Sequence, residues 1–317
     1  MKQKIVKIFV TCYFLCSVCS YAQLQREWVQ FYQELNGGEG YALCPDDSGN
    51  VYVTGIVGTN DTDGYCTIKY SSSGVQQWAR NYRGTNNYAA IPRSIAIDGH
   101  SNIYVTGSKT WCGLPFTLCN EYYTIEYSSQ GIQQWIAEYR GIASPYADND
   151  ARKIAVDNGG NIYVTGICDI AESVVLTTIK YSTNGDSIWV KRGESVVIGQ
   201  LGYSDIKMEI DLYNNIIIVY TSHSNINMAT TICYDSSGNL RWRQIYDSST
   251  SGGTAVAIDK DNNIYTGGWT WNSVGGIDYL LIKYSSNGLH LWHRKYHFGK
   301  GFGVKRGQCA LVHSSAQ

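Results

Sequence analysis

The chain has 317 residues, a formal net charge of −1 and only 16% charged residues, while aromatic residues make up 13% and Tyr alone occurs 26 times. This composition excludes a disordered chain and offers no general electrostatic attraction to nucleic acid or anionic lipid. It suits a well-packed β protein, and the length fits one domain if the fold is a repeat that grows by adding units.

Residues 1–22 read as a secretory signal. Lys2, Lys4 and Lys7 form a basic start, Ile8 to Val18 an apolar stretch, and Ser20 and Ala22 the small residues before cleavage at Ala22-Gln23. The apolar stretch is shorter than the roughly 20 residues that span a bilayer. An uncleaved anchor and a lipoprotein at Cys19 are the alternatives, although Val18 is a poor residue to precede a lipidated cysteine. Loss of the three leader lysines takes the charge from −1 to −4 for residues 23–317. The expected destination is extracellular, at the cell surface or in the periplasm, with no membrane span in the mature chain.

Next comes an isolated strand pattern, Trp28-Val-Gln-Phe-Tyr32, and after it the sequence repeats. A short phrase recurs as Gly49-Asn-Val-Tyr-Val-Thr-Gly55, Ser101-Asn-Ile-Tyr-Val-Thr-Gly107 and Gly160-Asn-Ile-Tyr-Val-Thr-Gly166. Looser copies are Asn214-Asn-Ile-Ile-Ile-Val-Tyr220 and Asn262-Asn-Ile-Tyr-Thr-Gly-Gly268. Each copy sits in a longer unit of four short segments rich in β-branched and aromatic residues, bounded by Gly, Ser, Asn or Asp. Such a unit predicts four strands, A to D. The units span approximately 33–82, 83–139, 140–193, 194–246 and 247–296, and 297–317 is a degenerate tail.

Tryptophan sets the period. Trp78, Trp135, Trp189, Trp242 and Trp292 follow one another at steps of 57, 54, 53 and 50, and Trp28 lies 50 before the first. Four strands in a period near 50 predict an all-β fold, a propeller of four-stranded antiparallel blades. Five blades are clear, with a partial blade at the termini: Trp28 to Tyr32 matches strand D, and Cys309 to His313 matches a degenerate strand A. Either the ring closes on five blades with spare strands, or the chain is part of a longer parent.

The turns carry their own signals. Asp closes strand A in every copy (Asp46, Asp98, Asp157, Asp211, Asp259) and Asn follows four residues later, a pairing suited to side-chain bonds onto turn N–H groups. The C–D hairpins end in Gly, which supplies the positive φ of a short hairpin. In strand D, Tyr follows Trp by four residues except after Trp189, where Gly193 stands. That even spacing puts both rings on one face.

The Asp-x-x-Gly-Asn turn, the Tyr-Val-Thr-Gly strand and the Lys69-Tyr-Ser-Ser-Ser-Gly74 hairpin together resemble the SBBP repeat, a β-propeller repeat of bacterial secreted and surface proteins. The resemblance extends over roughly 28–296. It implies the propeller fold and a secreted or surface setting, and it supplies no shared catalytic motif, metal or cofactor.

Candidate chemistry is sparse. Seven cysteines remain after the leader, and Cys112 and Cys119 share one long B–C connection that a disulfide could close. Cys44 takes the place of Ala96, Ala155 and Ala257 and so reads as a small buried side chain. His290 and His293 are three apart on a strand, which predicts opposite faces and no shared metal. Asp259-Lys-Asp-Asn-Asn263, Asn60-Asp-Thr-Asp-Gly64 and Asp148-Asn-Asp150 only faintly resemble calcium loops and read as turns. Lys69, Lys180 and Lys283 recur at one strand C position, a structural pattern. No nucleophile elbow or phosphate loop occurs.

Trp111, Trp269 and Trp271, set near the loops, are the candidate binding residues, since their rings suit stacking on sugars or contact with protein. Trp78, Trp135, Trp189, Trp242, Trp292, Asp98, Asp157 and Asp259 are structural. The reading is a secreted or surface-exposed, non-enzymatic scaffold with a protein or glycan partner and no cofactor. The alternatives are a propeller enzyme acting on polysaccharide, with two carboxylates about 5–9 Å apart, and a fragment of a larger surface or adhesive protein.

Overall fold

The computed structural model describes residues 27–297, apart from 33–36, 59–63, 83–88, 115–116, 142–147, 171–172, 196–204, 224 and 247–249. Inside strands, the side chains of 111–114, 117–118 and 194–195 are also outside this description. The leader and the segment 309–313 therefore lie outside the described residues.

Among the described residues, twenty strands form five antiparallel sheets in strict meander order. The first blade holds β1 (Gly38–Pro45), β2 (Val51–Val57), β3 (Gly64–Tyr70) and β4 (Gln76–Tyr82). The second holds β5 (Ala90–Ile97), β6 (Ile103–Leu114), β7 (Thr117–Tyr127) and β8 (Gln133–Tyr139). In the third are β9 (Asp150–Val156), β10 (Ile162–Ile170), β11 (Ser173–Tyr181) and β12 (Ser187–Ser195). The fourth contains β13 (Lys207–Ile210), β14 (Ile216–His223), β15 (Asn227–Tyr234) and β16 (Leu240–Tyr246). The fifth ends the series with β17 (Ser251–Ile258), β18 (Ile264–Trp271), β19 (Ile277–Tyr284) and β20 (His290–Tyr296). Consecutive blades pack face to face, and among the described strands no packing layer joins the fifth blade to the first. The described residues form a β-propeller of five four-stranded blades. No helix among the described residues is long and apolar enough to cross a membrane.

The A–B turns follow from the Asp–Asn pattern. Asp98 Oδ1 accepts the N–H of His100 and Asn102 at 2.8 Å each, and Asp98 Oδ2 accepts Asn102 Nδ2 at 2.9 Å and Tyr104 Oη at 3.0 Å. Asp46, Asp157 and Asp259 do the same with Tyr52, Tyr163 and Tyr265. In the fourth blade Ile217 stands in the tyrosine position, and Asn262 of the next blade donates to Asp211 Oδ2 instead. Burial pushes the Asp259 carboxyl up. Hydrogen bonds from the Asn263 side chain, the N–H groups of Asn263 and Asp261 and the Tyr265 hydroxyl outweigh it and hold the pKa at about 2. Asp46 and Asp235 are lowered in the same way. A carboxylate whose pKa is lower folded than unfolded stabilises the fold above its unfolded value, near 3.9, and loses that contribution as pH falls through the folded value. The thermal midpoint should therefore drop between about pH 4 and 2. Asp259→Asn should flatten part of that drop, and an unchanged acid limb in the variant would count against the assignment.

Two bulges shape every blade but the fourth, which has only the first of them. One lies in strand D just before the tryptophan: Tyr284 pairs with His290, but Lys283 pairs with Trp292, so Leu291 is extra. This corrects the expectation for the histidines. The extra residue returns His293 to the side of His290, and His293 Nδ1 lies 3.3 Å from His290 Nε2. Among the described residues, no group of three His, Cys, Asp or Glu side chains is placed to hold a metal ion. The second bulge lies in strand A opposite the glycine that closes the repeated phrase, as between Pro92 and Ser94 facing Gly107 and Thr106.

The long B–C connection of the second blade also differs from a loop. Its strands continue through Lys109↔Glu121, Thr110↔Asn120 and Trp111↔Cys119 to Leu114↔Thr117. Lys109, almost fully buried, bridges Glu121 at 3.2 Å and Glu138 at 2.6 Å, and Arg140 Nε reaches Glu121 at 2.6 Å. This closed ion network ties the extended hairpin to β8. Pairing of Cys112 with Cys119 lies outside the described residues, because the Cys112 side chain does. Cys44 is half-buried rather than buried. Cys168 and Cys233 are buried thiols that burial pushes up to about 11 and about 12, which leaves them protonated and unreactive.

Candidate functional site

The site is defined by a contact that recurs four times between blades and, among the described residues, is missing from the fifth. In the first four blades the strand D tryptophan reaches into the C–D hairpin of the next. Trp78 Nε1 donates to Ser129 O at 3.1 Å, Trp135 to Thr183 O at 3.0 Å, Trp189 to Ser236 O at 3.2 Å and Trp242 to Ser286 O at 3.2 Å. The indole lies over the hairpin glycine. A Cβ on Gly131 would come within 2.7 Å of the Trp78 ring, and Gly131 has φ of 74°. The small residue and its left-handed backbone together make the socket.

Two further donors reach the same hairpin. Lys69 and Lys180 donate to Ser129 O and Ser236 O at 3.4 and 2.9 Å. The residue two after the tryptophan bonds the glycine carbonyl: Arg80 to Gly131 O at 2.7 Å and Gln244 to Gly288 O at 2.9 Å. The recurring strand C lysine is thus an inter-blade strut, which fits its structural reading.

The fifth blade keeps all three donors, Trp292, Arg294 and Lys283, but no socket glycine among the described residues lies under Trp292. Lys283 turns back to its own Asp259 at 3.4 Å. Arg294 donates to His293 O at 3.0 Å and lies over the Trp292 ring.

The rest of this face is open in the same sense. Thr67, Thr124, Thr178 and Thr231 pack against the following blade and are at most 3% exposed, whereas Leu281, the residue in that register, is 40% exposed. Tyr65, Tyr122, Leu176 and Ala229 are at most 8% exposed, and their counterpart Tyr279 is 50% exposed. Cross-strand register puts Trp269 opposite Tyr279 and Trp271 opposite Ile277, so all four side chains share this face. Trp269 lies over Gly252, where a Cβ would come within 2.6 Å of the indole. Trp271 is exposed, and its backbone N–H donates to Thr250 O at 2.8 Å.

Of the three tryptophans expected to bind, Trp269 and Trp271 therefore stand together on one continuous face, and the Trp111 side chain lies outside the described residues. Sequence reasoning missed Tyr279 and Leu281. A signal was present: Leu281 occupies a strand C position that is Thr in the other four units.

Asp61 and Asp63 lie outside the described residues, and the other candidate carboxylates do other work. Asp259 organises its turn, and Asn120 donates to Asp148 at 2.7 Å. Asp150 is buried between Arg93 at 3.3 Å and Arg152 at 2.8 Å. Burial raises its pKa although both guanidinium groups pull it down. These residues form ion pairs and turns between strands.

The SBBP family, a beta-propeller repeat, matches residues 77–108. No curated protein matches the chain. Among solved structures it is similar to regucalcin, a calcium-binding protein from Agrobacterium tumefaciens, with 11% identity, a TM-score of 0.45 and coverage of 81% of this chain and 74% of that one. It is also similar to a protein of unknown function from Dyadobacter fermentans, with 9% identity, a TM-score of 0.47 and coverage of 77% and 79%. A Hadza microbial sialidase is 10% identical, with a TM-score of 0.47 and coverage of 81% and 58%.

Proposed function

We propose that this chain of SBBP-type propeller repeats is a secreted, non-enzymatic scaffold that binds a protein through the free face of its fifth blade. One observation carries the reading: Tyr279 and Leu281 are 50% and 40% exposed at positions that the other four blades bury against a neighbour. Burying apolar area yields about 25 cal/mol per Å². Aromatic residues in a contiguous patch are also favoured at the centres of protein interfaces. The alternation of Trp269, Trp271, Ile277 and Leu281 favours a protein over a glycan, because sugar hydroxyls need a denser set of convergent polar partners. The basic and apolar leader supports export.

A photo-reactive benzoylphenylalanine at position 279, introduced in the native organism, tests this. A discrete protein adduct is expected at 279 and none at the exposed Leu240 of β16. No adduct at 279, or the same adducts at both positions, would sink the scaffold reading.

A further inference from the structure

The first blade carries the complementary half of the face just described. Strand A residues three before the turn aspartate point back at the preceding blade. Ile95, Ile154, Met208 and Val256 are at most 7% exposed there, but Leu43 is 67% exposed. The first blade also has a socket hairpin, Ser71-Ser-Ser-Gly74, with Gly74 at φ of 80°. That socket is filled from within the chain. Trp28 Nε1 donates to Ser72 O at 3.0 Å, a Gly74 Cβ would meet the Trp28 ring at 2.7 Å, and Trp28 and Tyr32 pack on the cluster of Val57, Cys66, Ile68 and Tyr70. The segment from Trp28 to Tyr32 pairs with no strand in the described sheets. It holds the socket with its tryptophan alone and leaves Leu43 uncovered.

Trp28-Val-Gln-Phe-Tyr32 and Trp292-His-Arg-Lys-Tyr296 share the Trp-x-x-x-Tyr spacing. Only the second has a full sheet behind it, together with a lysine and an arginine to complete the inter-blade donor set. The two ends of the arc are thus the two halves of one interface that occurs four times inside it.

On the reading of the fifth-blade face as a protein-binding surface, we infer that its partner is a second copy of this chain. The fifth blade of one copy docks on the first blade of the next, and Trp292 replaces Trp28 over Gly74. Leu281 and Tyr279 then cover Leu43, Lys283 is free to leave Asp259 for Ser72 O, and Arg294 reaches the Gly74 carbonyl. The contact continues the established blade-to-blade packing and needs no new chemistry. It is heterologous, so it builds closed rings or open filaments and not a two-fold dimer. The tethered Trp28 segment competes for the socket and sets how readily copies join.

Sedimentation velocity of the purified mature protein tests this, with circular dichroism confirming that each variant is folded. Trp28→Ala opens the socket and should lower the concentration for half-association by tenfold or more. Leu281→Glu, at an exposed position that leaves the monomer intact, should abolish association in both the wild-type and the Trp28→Ala background. If Trp28→Ala does not fold, Tyr32→Ala weakens the same segment, because Tyr32 packs on the same cluster, and should shift association in the same direction. Monomers up to about 100 μM in the folded variants with the weakened segment, or association indifferent to Leu281→Glu, would overturn the inference. The benzoylphenylalanine adduct at 279 separates the two levels. An adduct with a different protein overturns the second copy alone, whereas no adduct removes the binding face itself.

Discussion

Trp78→Ala should cost about 3–5 kcal/mol of unfolding free energy, the range for removing a buried tryptophan, while Trp292→Ala should cost about 1 kcal/mol or less. Both residues hold the same place in the repeat. Trp78 is 8% exposed, lies over Gly131, donates to Ser129 O and contacts Tyr52 and Tyr127 with ring centroids 6.0 and 6.3 Å away. Alanine there leaves a void between two blades and takes one of two donors from the Ser129 carbonyl. Trp292 contacts Tyr265 of its own sheet at 6.0 Å and has no following hairpin among the described residues. Urea unfolding of the two variants at a concentration that keeps the protein monomeric gives the comparison. Equal losses would mean that the indole stabilises its own blade and that the socket adds little.

A single methyl group should do comparable damage at Gly107. Its Cβ would lie 2.1 Å from the Ile91 carbonyl oxygen and 2.7 Å from the Tyr65 hydroxyl, so the backbone of β5 itself must move. Gly107→Ala is expected to lose about 3 kcal/mol, at the upper end for overpacking. Gly99→Ala has nothing within 4 Å and should stay within about 0.5 kcal/mol. Gly55, Gly166 and Gly268 meet strand A carbonyls at the same 2.0–2.1 Å. The fourth blade supports the argument from the other side. Tyr220 replaces the glycine there, and its strand A is only Lys207–Ile210, whose pairing stops at Val219. Thermal unfolding of the pair of alanine variants is sufficient, and a neutral Gly107→Ala would remove the close approach as the reason for this glycine.

What could be read from the residues was whatever repeats. The tryptophan period, the turn aspartates and the hairpin glycines each impose one local geometry per unit, so all five blades, their order and their turns were legible. The bulge before each tryptophan was not. It inserts one residue without a Gly or Pro to mark it, and an unbulged count places His293 on the wrong side. Length alone makes the B–C connection of the second blade read as a loop, and the strand pairing there runs through Lys109 and Glu121. Their mutual pairing, with Arg140 and Glu138, lets a polar stretch continue as buried strand. Trp269 and Trp271 were picked out for being aromatic near loops, but their shared face with Tyr279 depends on cross-strand register. Exposure of that face depends on which blades touch, and no local pattern encodes that.

Trp78, Trp135, Trp189 and Trp242 each belong by covalent order to one sheet and by contact to its successor. The cassette that could be exchanged, inserted or deleted without loss therefore does not coincide with a blade. A cut between sheets orphans one indole and empties one glycine socket. A cut inside a C–D hairpin, just after its glycine, keeps each tryptophan on the same piece as the hairpin that receives it. Recombination at those hairpins would yield arcs of any length whose internal joints are all complete, and whose two ends are always mutually compatible.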